Sequence, residues 1–311
     1  MTQQHATQRP HAKDDEIDLR ELFAVIWRGK WIIIATTFVF AVASVFYALS
    51  LPNIYKSEAL LAPAAEQKSG GLPGELGGLA ALAGVTIGGA GEVDKTTLAI
   101  EIMQSREFVG RFIQKYDILV PLFAAKEWQA DTNELIIDNT VFDVASQTWV
   151  RDVKPPLKSE PSMQEAHKFF MEVFSVTTEK TSGLVVVAVE HQSPYIAKQW
   201  VNALVQDIND EMRRRDMQEA QKSIAYLSKQ INETSLSEIR TTLFSLIEEQ
   251  TKTLMLASVR DEYAFQTIDP AIIPEMKFSP QRALIVAVAT VLAGMLAVFG
   301  VLLISLFRKQ S

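Results

Sequence analysis

Residues 283–307 carry no charge, and Arg308 and Lys309 follow at once. A helix needs only about 20 apolar residues to cross a hydrocarbon core of about 30 Å, so this run predicts a membrane span. A second uncharged run, 31–51, follows Arg28 and Lys30, with Trp27, Trp31 and Tyr47 placed to sit at the interfaces. Its apolar core is too long for a signal peptide and Leu51-Pro52-Asn53 does not fit a cleavage site, so it is expected to remain as an anchor. Lys13, Arg20, Arg28 and Lys30 precede the first span. With Arg308 and Lys309 after the second, they place both ends in the cytoplasm, against Lys56, Lys277 and Arg282 on the other side. Residues 52–282 then form one extracytoplasmic segment, large enough to bury its own core.

Composition excludes several classes of function. With no cysteine there is no disulfide framework, no thiolate metal site and no cysteine nucleophile. A net charge of -7 and a pI near 5.3 argue against a nucleic-acid partner, which needs a basic face. His5, His11, His167 and His191 show no metal-ligand spacing. Glu248-Glu249 and Asp261-Glu262 are neighbours on a predicted helix and point apart, which does not make an acid/base pair. Neither catalytic residues nor a cofactor are expected.

Residues 1–13 are polar, and Leu19, Leu22, Phe23, Ile26 and Trp27 then recur at helical spacing, predicting a short amphipathic helix that leads into the first span. Residues 54–62 predict a strand. The glycine-rich run 68–92 lacks the lysine that a phosphate loop requires, since Lys95 comes only after Gly91-Glu92-Val93-Asp94. It also lacks the strand and helix of a dinucleotide fingerprint. It predicts a mobile surface loop whose Leu72, Leu76, Leu79 and Leu82 face a membrane or another subunit. Asp94 is a candidate N-cap for a helix burying Leu98, Ile102, Val109, Phe112 and Ile113. Short strand-like runs at 135–137 and 148–153 follow, punctuated by Pro155-Pro156 and Pro161. Residues 172–178 and 184–190 predict a hairpin turning at Thr181-Ser182-Gly183, and the second strand, LVVVAV, predicts a central position covered on both faces.

Ser193-Pro194 has the form of an N-cap and first-turn proline, and 195–269 contain neither glycine nor proline. As a single helix, about 65 residues at 1.5 Å each would reach roughly 100 Å. Ile224, Leu227 and Ile231, then Leu236, Ile239, Leu243, Leu246 and Leu254, recur at coiled-coil spacing, with a slip near residues 232–235 that predicts a bend. So long an apolar stripe needs neighbouring copies to cover it. Arg213, Arg214 and Arg215 on this helix are candidates to contact an anionic glycan or line a ring interior, while such a run is more often solvated or paired with Asp210, Glu211 and Asp216. Ala289, Ala293, Gly294, Ala297 and Gly300, with Ser44 and Ala48, put small residues at close-packing intervals in the spans.

The pieces EIDLRELFAVIWRGKWIII, SREFVGRFI and the stretch 226–285, with two terminal spans, resemble the O-antigen chain-length determinants, the Wzz-type polysaccharide co-polymerases. The likeness runs over nearly the whole chain and is most specific over 226–285. It implies an α+β inner-membrane protein: two transmembrane helices flanking a periplasmic α/β base domain with one very long α-helix. The resulting division is a cytoplasmic tail with an amphipathic helix over 1–30, a first span over 31–51 and a periplasmic domain over 52–282. Within that domain lie the base (52–193), the long helix (about 194–268) and a proline-rich return (269–282). The second span, 283–307, and a cytoplasmic tail, 308–311, complete the chain. The resemblance further implies a ring-shaped homo-oligomer in contact with membrane lipids, a lipid-linked polysaccharide and a separate O-antigen polymerase, setting the modal length of lipopolysaccharide O-antigen. The glycine-rich insert departs from the shorter members of the family.

Pro270, Pro274 and Pro280, with Arg282, mark the expected functional segment. Pro270 is expected to end the long helix, and the other two to hold the return path extended and semi-rigid. The short tail 308–311 and the lack of a phosphate loop exclude a built-in tyrosine kinase domain and a chemosensory output module. A capsule or exopolysaccharide export role with a separate tyrosine kinase stays open as the alternative. The expectation is thus a non-enzymatic membrane scaffold without a cofactor.

Overall fold

A computed structural model describes residues 19–64 and 94–310. The polar start of the chain, with His5 and His11, and the glycine-rich run lie outside the described residues. The chain divides into two compact units, Met1–Leu51 with Pro280–Ser311, and Pro52–Ser279.

The first unit holds α1 (Leu19–Arg28), α2 (Lys30–Ser50) and α9 (Arg282–Gln310). Lys30–Ser50 and Arg282–Ser305 are long and apolar enough to cross a membrane, with mean hydropathies of 2.3 and 2.6. Their large side chains point outward, Phe38 at 68% and Leu296 at 70% exposure, a surface that suits lipid rather than water. Between α1 and α2 sits Gly29, where an added Cβ would come within 2.5 Å of Val301 Cγ1. Only glycine lets α9 approach that corner so closely.

In the second unit, β1 (Tyr55–Pro63), β6 (Phe174–Thr178), β7 (Val185–His191) and β8 (Phe265–Asp269) form an antiparallel sheet in the order β6-β7-β1-β8. The predicted hairpin is present: Gly183 supplies the positive φ (+71°) its turn needs. The strand predicted to be central is an inner one, but its faces differ. Val185, Val187, Val189 and His191 are buried with Ala59 and Leu61 of β1, while on the other side Ala188 is buried and Val186 and Glu190 are half-exposed.

The buried face meets α3 (Lys95–Gln104), α4 (Arg106–Lys115), α6 (Met163–Val173) and the start of α7 (Pro194–Glu233). The single helix predicted after Asp94 is two. Asp94 makes no side-chain cap, whereas Ser105 breaks the run and accepts from Phe108 N at 3.2 Å to begin α4. Leu98, predicted to face the core, is 40% exposed, while Ile102, Val109, Phe112 and Ile113 are buried. Short α5 (Leu119–Phe123) leads to two small hairpins, β2 (Ala125–Gln129) with β3 (Glu134–Ile137) and β4 (Phe142–Asp143) with β5 (Thr148–Trp149).

The largest departure from expectation is the rod. Ser193 and Pro194 start α7 as predicted, Ser193 Oγ accepting from Ile196 N. The helix stops at Glu233, and α8 (Ser237–Val259) turns back along it. Residues at the two ends confirm the reversal: Arg213 pairs with Asp261, and Tyr263 donates to Asp216. The reversal falls where the slip in spacing predicted a bend. It needs no glycine or proline because Thr234 (φ -100°, ψ 127°) and Leu236 (φ -81°, ψ 121°) take extended backbone open to any residue. The fold is therefore α+β with a helical hairpin, and α7 alone spans about 60 Å. Ala220, Ile231 and Ala257 are buried in the hairpin, with Ile224, Leu227, Leu243 and Leu254 half-buried. Leu236, Ile239 and Leu246 of the predicted stripe remain exposed.

Candidate functional site

The base end of α7 must bury Ala197, Trp200, Val201, Leu204, Ile208 and Met212 against the sheet. Two polar residues share that stripe, Asn209 at 4% and Glu211 at 6% exposure. A buried polar group without partners is costly, so each must be satisfied. Asn209 Oδ1 accepts from Ala264 N (2.7 Å) and Phe265 N (2.9 Å), and its Nδ2 donates to Phe265 O (3.1 Å). The amide thus fastens the first residue of β8 to α7, just where the chain returns from the hairpin.

Glu211 gathers Arg111 (3.0 Å), Arg214 (2.8 Å) and Arg215. Burial pushes its carboxyl upward, but the hydrogen bonds from Arg214 and Arg215 and the charge of Arg111 outweigh this and hold it below the ordinary carboxylate range. Arg213 pairs with Asp210 and Asp261. All three arginines proposed for a glycan are therefore paired within the fold. Asp216, expected among their partners, instead takes Lys95 and Tyr263. An open cleft of about 240 Å³ beside them is lined by Arg111, Lys115 and Arg214 and by Asp207, Asp210 and Glu211, a mixture without a dominant sign.

From β8 the chain passes into the proline-rich return. Pro270 follows a strand, not the long helix, because α8 has already ended at Val259 and β8 intervenes, paired with β1. The residues after it are held at separate points: Ala271 is buried, and Ile272 O accepts from Ser57 Oγ at 2.7 Å. Further on, Ile54 N donates to Ser279 O (2.9 Å), while Phe278 N donates to Ile54 O (2.8 Å). Pro274 and Pro280 are half-buried along this path, and Pro270 is exposed. Pro274 fixes φ between these anchors, with Pro270 and Pro280 just outside them, so the return is a strap rather than a slack linker.

In the first unit, Arg282 caps the end of α2. Its Nε donates to Ala48 O (3.0 Å) and its Nη2 to Leu51 O (3.1 Å). The last carbonyls of a helix lack internal partners and carry negative partial charge, so a guanidinium satisfies both needs. Farther along α9, Ala293 is buried, and with half-buried Ala289 and Ala297 it lines an apolar cleft of about 350 Å³ with Thr36 and Phe40. Gly294 faces Thr37, where a Cβ would make ordinary contact at 3.7 Å, and a Cβ at Gly300 would meet nothing within 4 Å. Ser44 and Ala48 are buried on α2.

The described histidines serve structure. His167 Nε2 lies 2.9 Å from Gln104 O. His191 is enclosed at 4% exposure: its Nδ1 accepts from Ser193 N (2.9 Å), which leaves Nε2–H to donate to Pro121 O (3.0 Å). Burial lowers its pKa from 6.5 to about 4, against the hydrogen bond to Pro121 O, which favours the protonated ring. The neutral form is the folded one. Stability is therefore complete above the unfolded value of 6.5 and falls as pH drops toward 4, by on the order of 3 kcal/mol at full effect. Urea titrations at pH 7.5 and pH 4.5 should show this loss, and His191→Gln should flatten the difference.

Residues 15–116 match the family model described as chain length determinant protein, Wzz. No curated protein matches in sequence. Among solved structures, a full-length bacterial polysaccharide co-polymerase is 14% identical, with 94% of this chain and 99% of that chain covered and a TM-score of 0.38. The resemblance drawn from the sequence is borne out by the family match, which falls on α1, α2, β1, α3 and α4 rather than on the stretch 226–285 singled out as most specific.

Proposed function

We propose that this chain sets the length of a bacterial surface polysaccharide, the O-antigen of lipopolysaccharide, as an oligomeric inner-membrane co-polymerase beside a separate polymerase. The match of residues 15–116 to chain length determinants carries this reading. Two helices long and apolar enough to span a membrane, at opposite ends of the chain and with the second compact unit between them in sequence, support the architecture it requires. Both ends lie in the cytoplasm on this reading, supported by Arg28 and Lys30 before the first span and Arg308 and Lys309 after the second. The second unit lies in the periplasm, where the lipid-linked polysaccharide grows and neighbouring copies assemble through it. Ala289, Ala293 and Ala297 offer a close-packing surface within the spans.

The first test is a gel ladder of lipopolysaccharide from a strain lacking the chain, with and without its return on a plasmid. Loss should turn a clustered length distribution into a random one, and return should restore the cluster. An unchanged ladder with altered capsule or secreted polysaccharide would overturn the O-antigen assignment in favour of an export role with a separate kinase.

The strap gives a second test. Replacing Pro270, Pro274 and Pro280 together by alanine frees φ within the return and at its two ends while leaving the Ser57 and Ile54 hydrogen bonds in place. The modal length should shift or broaden at unchanged protein level. An unaltered ladder would remove the strap from the mechanism.

A further inference from the structure

The return segment presents large apolar side chains to the outside. Met276 is 85% exposed, Ile272 66%, Phe278 51% and Ile273 37%. They are not free to fold inward, because the backbone beneath them is fixed. Ser57 Oγ holds Ile272 O, Ile54 O holds Phe278 N, and buried Ala271 anchors the start. A set of exposed apolar side chains on a fixed backbone calls for a partner.

Position along the chain says which partner. Phe278 stands four residues before Arg282, where α9 begins, and Ile54 four residues after Ser50, where α2 ends. At no more than about 3.6 Å per residue, both lie within roughly 14 Å of a helix end. The headgroup zone extends about 5–7 Å beyond the hydrocarbon core on each side, so the tether keeps Phe278 and Ile54 within reach of it. Charge agrees with this. Lys277 is exposed, its Nζ 3.5 Å from Asn53 Oδ1, and Lys56 lies 5.3 Å from the centre of the Phe278 ring. Lys56 also pairs with Glu58 at 3.0 Å, and Glu275 is the opposing acid within the return segment. Apolar side chains flanked by lysines suit the boundary between acyl chains and phosphate headgroups.

We infer that Ile272, Ile273, Met276 and Phe278, with Lys56 and Lys277, form a collar that inserts into the headgroup and upper acyl zone of the bilayer crossed by α2 and α9. This rests on the reading that those helices span a membrane. The collar makes lipid part of the strap's support, so the return segment is held by the protein on one side and by the membrane surface on the other.

Because the chain has no cysteine, a single introduced thiol reports one site. Met276→Cys, Ile272→Cys, Met295→Cys in α9 and Glu219→Cys on an exposed part of α7 would each carry an environment-sensitive fluorophore. The full chain is reconstituted in vesicles of phosphatidylethanolamine and phosphatidylglycerol. Lipids bearing a doxyl quencher near the headgroup should reduce emission at 276 and 272 at least about twofold, while aqueous iodide quenches 219 alone. A deeper doxyl position should quench 295. If 276 and 272 behave like 219 while 295 is quenched by lipid, the collar is wrong and the spans stand. Loss of lipid quenching at 295 as well would overturn the spanning reading and the collar with it. Shielding of 276 from iodide, without lipid quenching and equally in detergent, would assign the face to a second copy and overturn the collar.

Discussion

Asn209→Ala should lower the stability of the Pro52–Ser279 unit by about 3–5 kcal/mol, because it leaves two backbone donors and one acceptor without partners. Phe265, which supplies one of those donors and the acceptor, is fully buried, so water cannot replace the amide there. The effect should also be local in origin. Asn209 stands where the return of the hairpin enters β8, and its loss should raise amide exchange first in β8 and the strap behind it. Urea unfolding followed by circular dichroism, with hydrogen exchange on the same variant, would measure both. A loss below about 1 kcal/mol would mean that the three hydrogen bonds do not hold β8 to α7. Glu219→Ala, on an exposed face of α7, serves as the control and should stay within about 0.5 kcal/mol of the parent.

Phe170→Ala should cost a similar amount, about 3–5 kcal/mol, through a different cause. The ring is fully buried, with centroids of Phe112, Phe174 and Trp200 at 5.6, 5.3 and 6.1 Å. These come from α4, the start of β6 and α7, so deletion opens a cavity shared by elements that cannot all close on it. Phe170→Leu, which retains most of the volume, should lose less than half as much. Equal losses for the two variants would show that ring packing, rather than cavity formation, sets the cost.

Much of the fold is legible because local chemistry and long-range packing agree. The two long apolar helices follow from uncharged length alone. LVVVAV reads as an inner strand because the side that packs against helices tolerates no charge. Ser193-Pro194 starts α7 by a mechanism confined to one turn. The failures have a common source in choices that only a distant partner decides. The reversal at 234–236 uses dihedrals that every residue can adopt, so nothing there announces a turn except the slipped apolar spacing. β8, the sequence FQTID, is an edge strand whose strand character depends on β1, some two hundred residues earlier in the chain. Its presence is why Pro270 follows a strand and not a helix.

Asn209 left a faint sign. Val201, Val205, Ile208 and Met212 set an apolar stripe on α7, and an asparagine beside Ile208 in that stripe has to meet a partner. Glu211 signals itself in the same way, at the spacing of Leu204 and Ile208. Neither position reveals its partner, because Ala264 and Arg111 are brought there by the fold. The arginine triplet leaves both a ligand site and pairing with nearby acids open in one dimension, and the fold gives each of the three a carboxylate partner.

The pairing of Ile54 with Ser279 makes the second unit a loop closed at its own neck. Entry and exit of the chain lie one hydrogen-bonded pair apart, so sequence gained or lost inside the loop leaves the spacing of that neck unchanged. Insertions such as the glycine-rich run, and lengthening or shortening of the hairpin, can therefore vary while the bridge at the neck stays the same. An enlarged second unit and an unaltered pair of apolar helices are compatible in one protein for this reason.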